Sequence, residues 1–254
     1  MVSLPAIRTE GSTGDDKLMI IGTGLIARAF VPHLAVLGGA CVYAAGVSNS
    51  SCEDPREFER ERQRLAAALA ATPADSLFLY FSTCSIADPG ARETAYVRHK
   101  LAMEHLVAQR DHHLVLRLPQ LAGKTPNPHT LLNHFYARIV RSERFAIWRG
   151  ATRNIIDVDD VAAIVTDLVV TEKACGEIIN VANPRSYAVP DIVRSIEQVV
   201  GHKAVFDIID RGTGYTIDTD RIRAALHRCG LSFPEEYLLR VIRKYYGDID
   251  SIAT

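Results

Sequence analysis

The sequence predicts an α/β fold in which a parallel sheet carries helices on both faces. Three observations predict it. Short continuous apolar runs alternate with longer amphipathic segments between residue 18 and about residue 123, the pattern of strands buried on both sides and joined by crossover helices. The first run, Leu18-Met19-Ile20-Ile21, ends in a glycine turn, Gly22-Thr23-Gly24-Leu25-Ile26-Ala27. Beyond Gly123 the alternation gives way to helices and loops, which marks a smaller appended cap.

Taken in order, Leu18–Ile21 is a short apolar run suited to a buried strand. A helix is expected over 25–37, stopped by Gly38-Gly39. Residues 41–46 (CVYAAG) read as a second strand, and 49–55 as a polar turn. FERERQRLAAALAA, within 57–71, has helical composition. SLFLYF at 76–81 is a buried strand with Ser82-Thr83-Cys84-Ser85 at its end. A helix over 96–110 and a strand over 113–118 follow. Later helices are expected at 130–140, 190–200, 219–227 and 234–246, and one beginning near Asp159 or Asp160 as N-cap. A strand at 177–181 can rejoin the sheet. The expected organisation is a leader (1–16), a dinucleotide-binding Rossmann domain (17–123, with 153–181 returning to it) and a substrate cap (124–152 and 182–254).

Composition narrows the function. Lys plus Arg number 29 and Asp plus Glu 30, a formal charge of -1, which gives no field for nucleic acid or an anionic membrane. No apolar run reaches the ~18 residues of a membrane span. The five cysteines have no CxxC spacing, so neither a disulfide framework nor a zinc site is expected, and a reducing cytoplasm is the default. The nine histidines form no ligand cluster, and no metal is expected. A small-molecule substrate is the expected partner.

The chemistry-bearing motifs are three. In the GxGxxA turn, Gly22 permits a tight bend, Gly24 lets a pyrophosphate approach the backbone, and Ala27 lets the helix pack close to the strand, with Leu25 and Ile26 between them. The cofactor this implies is NAD or NADP. The acid that holds the adenosine ribose, usually about 20 residues on, is missing: residues 42–48 read VYAAGVS. Arg28 can meet a 2′-phosphate or be a solvated helix arginine. Next, Tyr96 is the only tyrosine with a lysine four residues on, Lys100, so the two share a helix face. An adjacent ammonium lowers a phenol's pKa, and Tyr96 is expected to move towards neutrality and transfer a proton. Finally, a hydroxyl at the end of the 76–81 strand can orient a reacting oxygen.

Together GTGLIA (22–27), AAGVS (44–48), FSTCS (81–85), YVRHK (96–100), RLPQLAG (117–123), RNIIDVDDVA (153–162) and INVAN (179–183) stand in an order that resembles the extended short-chain dehydrogenase/reductases. These are the NAD-dependent epimerase/dehydratase family acting on nucleotide-linked sugars, and the resemblance runs from about Lys17 to Tyr246. It implies Thr83, Tyr96 and Lys100 as catalytic residues. It places Gly22, Gly24, Leu25, Ile26, Ala27, Ala45, Gly46, Leu118 and Pro119 around the cofactor, together with Tyr96 and Lys100. It implies Arg153 and Arg211 as grips for a substrate diphosphate, with Cys84, Ser85 and Gln120 in the sugar pocket. The family's dehydratases carry an Asp-Glu pair where Cys84 and Ser85 stand, which argues against dehydration. Two strands that normally follow the first helix are missing, so the sheet is shortened on its adenosine side. The implied function is NAD(P)-dependent oxidoreduction or epimerisation at a hydroxyl or keto carbon of a nucleotide-activated sugar. A non-catalytic dinucleotide-binding sensor or assembly module, or a reductase of a non-sugar carbonyl, are the alternatives. A homodimer through the Tyr96 helix and the one before it is compatible with the resemblance.

Overall fold

The computed structural model describes Ala6–Ile7 and residues 19–247. In chain order the elements are β1 (Ala6–Ile7), β2 (Met19–Ile21), α1 (Leu25–Phe30), α2 (Leu34–Leu37), β3 (Cys41–Tyr43), α3 (Pro55–Ala71), β4 (Phe78–Thr83), α4 (Ala95–Val107), β5 (His113–Leu118), β6 (Gln120–Ala122), α5 (Leu131–Val140), β7 (Phe145–Trp148), β8 (Thr152–Asp157), α6 (Val158–Val170), β9 (Glu177–Asn180), β10 (Ser186–Ala188), α7 (Val189–Val200), β11 (Phe206–Ile209), α8 (Arg223–Arg228) and α9 (Tyr237–Tyr246).

The main sheet has the order β1-β2-β3-β4-β5-β9, and every pairing from β2 to β9 is parallel. Period-two alternation sorts its side chains. Leu79 and Phe81 of β4 face α1 and α6, in a core with Phe30, Leu116 and Val165. Phe78 and Tyr80 face the other way, against Leu65 and Ala68 of α3 and Met103 and Val107 of α4. The expected doubly wound sheet is therefore present, and its shortening is visible at β2. That strand pairs with β3, Ile20 opposite Val42, with no strand between them. On its other side lies only β1, antiparallel, Ala6 opposite Ile21. The leader thus supplies an edge strand, which covers backbone groups that β2 would otherwise leave unpaired; the rest of the leader lies outside the described residues.

The expected helix over 25–37 is interrupted by a 3₁₀ turn at Val31–His33. Pro32 has no N–H to give the carbonyl of Arg28, and Val31 N–H bonds that carbonyl instead. A second correction concerns the helix expected to start at Asp159 or Asp160. Strand β8 runs on to Asp157, whose carboxylate caps α6 by accepting from the Asp159 N–H at 3.0 Å.

The cap has its own core, built from α5, β7, α7 and α9 around Phe135, Ile147, Ile192 and Val241. The segment at 219–227, expected in the cap, instead belongs to the sheet's helix layer: Ile222 and Ala225 join the core beneath α6. Helix α9 ties cap to sheet domain. Tyr237 accepts from the Asp157 N–H at 2.8 Å and donates to Asp160 at 2.7 Å, while Lys244 and Tyr245 hold the Asp157 carboxylate.

Candidate active site

The glycine turn bends between β2 and α1. Gly22 has φ of +125°, and a Cβ there would lie 2.4 Å from the Ala44 carbonyl oxygen, so no larger residue fits. At Gly24 a Cβ would meet nothing within 4 Å, so the backbone is open to an approaching anion. Ala27 is fully buried against the sheet. Leu25 is half-buried and packs on Gly123, where a Cβ would lie 2.5 Å from its Cδ1; Ile26 packs against the core of α1 and α6. Ala45 and Gly46 lie beyond β3 and line a cavity of about 320 Å³ that runs to Arg60 and Arg64 on α3. Leu118 is buried in the sheet core and Pro119 half-buried beside it. An open glycine backbone beside a cavity at the strand ends fits a dinucleotide. The residues that would hold it are Gly22, Gly24, Ala45 and Gly46.

Tyr96 sits in the first turn of α4, which Thr94 caps by accepting from the Val97 N–H at 3.3 Å. Its ring lines a second cavity, of about 140 Å³, with Ser85, Asp88, Gln120, Arg153 and Tyr215. Thr83, at the end of β4, lies beside the Tyr96 phenol, and its Oγ1 accepts from the Ser85 N–H at 3.1 Å. Below it, Ser82 and Arg117 both bond the buried Glu104 carboxylate, at 2.5 and 2.6 Å, and hold the end of β4 against α4 and β5.

Lys100 follows one turn after Tyr96, with its Nζ 5.9 Å from the Tyr96 ring centre. It is not free. The ammonium, on a residue only 2% exposed, donates to Glu61 of α3 at 3.0 Å and to the Tyr80 hydroxyl at 3.2 Å. Glu61 also accepts from the Val47 N–H at 2.6 Å and Tyr80 at 2.9 Å, and contacts His99 Nε2 at 3.0 Å. Burial pushes the Glu61 carboxyl up, but Lys100, His99 and the Val47 amide outweigh it and bring it to about 2. Gly46 lies directly against this cluster, since a Cβ there would be 2.7 Å from Lys100 Nζ.

The expected lowering of the Tyr96 pKa is not found. Burial raises the phenol above its ordinary value, the Lys100 charge and the Thr83 hydroxyl oppose that, and Glu61 adds to the rise. The net direction is upward because burial, the largest contribution, outweighs the neighbouring ammonium.

The remaining expected residues divide. Ser85, Gln120 and Arg153 line the Tyr96 cavity. Arg153 makes no ion pair with Asp157 or Asp159, which bind Lys244 instead. Cys84 is 1% exposed; its thiol donates to the Arg117 carbonyl and burial pushes its pKa up to about 12. It therefore does not reach the cavity where a substrate contact was expected. Arg211 is exposed and is not among the cavity's lining residues; its carbonyl accepts from Gly150. Arg28 is also exposed and donates to the Lys124 carbonyl at 2.9 Å.

Sequence reasoning missed Glu61, Asp88 and Tyr215. Glu61 had a signal: Glu61, Leu65 and Ala68 form the buried stripe of α3 at i, i+4 and i+7, a charge in an apolar register. Asp88 and Tyr215 come from loops and carried none.

Comparison with curated proteins gives no match. Among solved structures the chain is similar to RMD from Pseudomonas aeruginosa complexed with NADPH, at 18% identity and TM-score 0.64, covering 83% of this chain and 82% of that one. It is similar to UDP-glucuronic acid 4-epimerase from Bacillus cereus in complex with UDP-glucuronic acid and NAD, at 17% identity and TM-score 0.65, covering 81% and 74%. It is also similar to dTDP-glucose 4,6-dehydratase from Bacillus anthracis in complex with NAD, at 14% identity and TM-score 0.63, covering 88% and 78%. At such identities the likeness establishes the fold. The profile of the NAD dependent epimerase/dehydratase family matches residues 39–182, more than half of the chain. The chain belongs to the NAD dependent epimerase/dehydratase family.

Proposed function

We propose that the protein is an NAD(P)-dependent oxidoreductase that reduces a keto carbon, or oxidises the corresponding hydroxyl, of a nucleotide-activated sugar. The observation that carries this reading is the Tyr96 phenol lining a polar cavity beside Thr83 and sharing it with Arg153, which makes no ion pair among the described residues. Bound in the groove over Gly24 and Gly46, the dinucleotide would supply or accept hydride. The chain's own groups do the rest. Thr83 orients the reacting oxygen, Tyr96 exchanges a proton with it, and Lys100 holds the phenol's surroundings polar and its own position fixed through Glu61. Arg153 offers a fork for a diphosphate.

The raised Tyr96 pKa keeps the phenol protonated at neutral pH, the form from which reduction starts. A phenol that keeps its proton at neutral pH is a donor to a developing alkoxide and a poor base. Elimination of water is not part of the proposal: Cys84 is buried with its thiol pushed up to about 12, and neither it nor Ser85 is an acid–base group at neutral pH.

One observation favours a second reading, reduction of a carbonyl compound without a diphosphate. Only Arg153 of the two expected arginines lines the cavity, whose volume is about 140 Å³. The test is native mass spectrometry for a co-purifying dinucleotide, followed by NADPH consumption with 4-keto nucleotide sugars and with simple ketones. Turnover of the nucleotide sugars alone supports the first reading, and turnover of simple ketones alone the second. Dinucleotide binding without any turnover points to a sensor or assembly module.

A further inference from the structure

We propose that the cavity between residues 45–52 and α3 receives the 2′-phosphate of an NADP-type dinucleotide, with Arg64 as the residue that reads it. This rests on the dinucleotide reading above and specifies which dinucleotide the chain takes. The place is right. The cavity, of about 320 Å³, is lined by Ala45, Gly46, Val47, Asn49, Arg60 and Arg64 among others. It begins where β3 emerges beside the glycine turn: a Cβ on Gly22 would lie 2.4 Å from Ala44 O and 3.2 Å from Ala45 N.

The charge is right as well. Four ionisable side chains of α3 line this cavity: Glu57, Arg60, Glu61 and Arg64. Both carboxylates are taken. Glu61 already serves Val47, Tyr80, His99 and Lys100, and Glu57 pairs with Arg60. Among the described residues Arg64 makes no ion pair, and its Nε is buried with no hydrogen-bond partner. The other arginine with an orphaned Nε, Arg110, bonds five carbonyls through its remaining nitrogens. The buried Nε anchors nothing, so the outer guanidinium nitrogens on the cavity wall are left to bind an anion, and a phosphate is the anion whose geometry a guanidinium matches.

Two further observations point the same way. The strand that would carry the acid for an unmodified adenosine ribose is missing from the sheet, so no carboxylate from it opposes a 2′-phosphate. Arg28, the other cation near the turn, is occupied by the Lys124 carbonyl.

The experiment is calorimetric titration of the full chain with NADPH, NADH, 2′,5′-ADP and 5′-AMP, for the wild type and for Arg64→Gln. The expected result is that the 2′-phosphorylated member of each pair binds about tenfold to a hundredfold more tightly. Arg64→Gln abolishes that preference and leaves NADH affinity unchanged. Arg64→Lys, which keeps the charge without the fork, retains part of it, and serves as the test if Arg64→Gln lowers the melting temperature. Equal wild-type affinity for NADH and NADPH overturns this inference and leaves the proposed function standing. So does an equal loss of both ligands in Arg64→Gln. Binding of neither dinucleotide overturns both.

Discussion

Replacing Glu61 by Gln keeps the shape of the buried cluster and removes its negative charge. The consequence can be sized in two ways. The carboxyl lies at about 2 in the folded chain against an ordinary 4.5, and that difference corresponds to about 3 kcal/mol of stability at neutral pH. Independently, breaking a buried ion pair by removing one partner costs about 3–5 kcal/mol, because the other charge is left uncompensated. Here that charge is Lys100, on a residue 2% exposed. The two figures agree. The sign of the pH dependence follows: a depressed carboxyl contributes its stability above its unfolded value and loses it as pH falls through the folded one. The wild type should exceed Glu61→Gln by about 3 kcal/mol at pH 7 and by about 1.5 kcal/mol at pH 3. Urea denaturation of both proteins from pH 7 down to pH 3 measures this gap. Glu59, whose carboxyl also sits at about 2, is present in both and cancels. A gap below about 0.5 kcal/mol at pH 7, the range of ordinary surface substitutions, refutes the reasoning, as does a gap that does not narrow with acid.

Other outcomes follow from the same geometry. Tyr96→Phe should lower reductive turnover by about 10²–10⁴-fold while leaving dinucleotide affinity and the melting temperature unchanged; calorimetry beside a steady-state assay separates these. Because burial holds the Tyr96 phenol above its ordinary value, the reductive rate should stay flat from about pH 6 to 9 and fall only as the phenol ionises above that range; a fall centred near pH 7 counts against Tyr96 as donor. Asp157→Ala removes the cap of α6 together with the anchor of Lys244 and Tyr245. It should cost about 1–2 kcal/mol, seen as a drop of about 2–4 °C in melting temperature per kcal/mol.

Much of the sheet domain was legible because its signals are local. His113–Leu118 is apolar enough to read as a strand from composition, and its observed bounds are the expected ones. The glycine turn, the shortened adenosine side and the return of β9 to the sheet followed from the order of motifs. What failed depended on contacts distant in sequence. Nothing around residues 219–227 distinguishes a cap helix from one that packs on α6; Ile222 and Ala225 supply apolar surface to either. The pairing of Ala6–Ile7 with β2 was equally invisible, since two residues carry no periodicity. The α6 cap was misplaced by two or three residues because Asp157, Asp159 and Asp160 are interchangeable as caps until the end of β8 decides among them.

At the site, spacing established geometry but not charge. A lysine four residues after a tyrosine puts an ammonium beside a phenol, and Lys100 Nζ does lie within 6 Å of the Tyr96 ring, at 5.9 Å. Whether that ammonium acidifies the phenol depends also on burial and on other charges. One such charge, Glu61, is 39 residues away in sequence and comes from a different helix. Burial is the largest influence on the phenol and raises it; Lys100 still pulls it down, and the Glu61 charge adds a smaller push upward. A tyrosine so placed retains its proton at neutral pH and can give it to an oxygen on which negative charge is building. The i, i+4 spacing reports the downward pull of Lys100 but not the burial that outweighs it. The protonation of Tyr96 is therefore set first by how deeply its ring is buried, and only then by the opposing charges of Lys100 on α4 and Glu61 on α3.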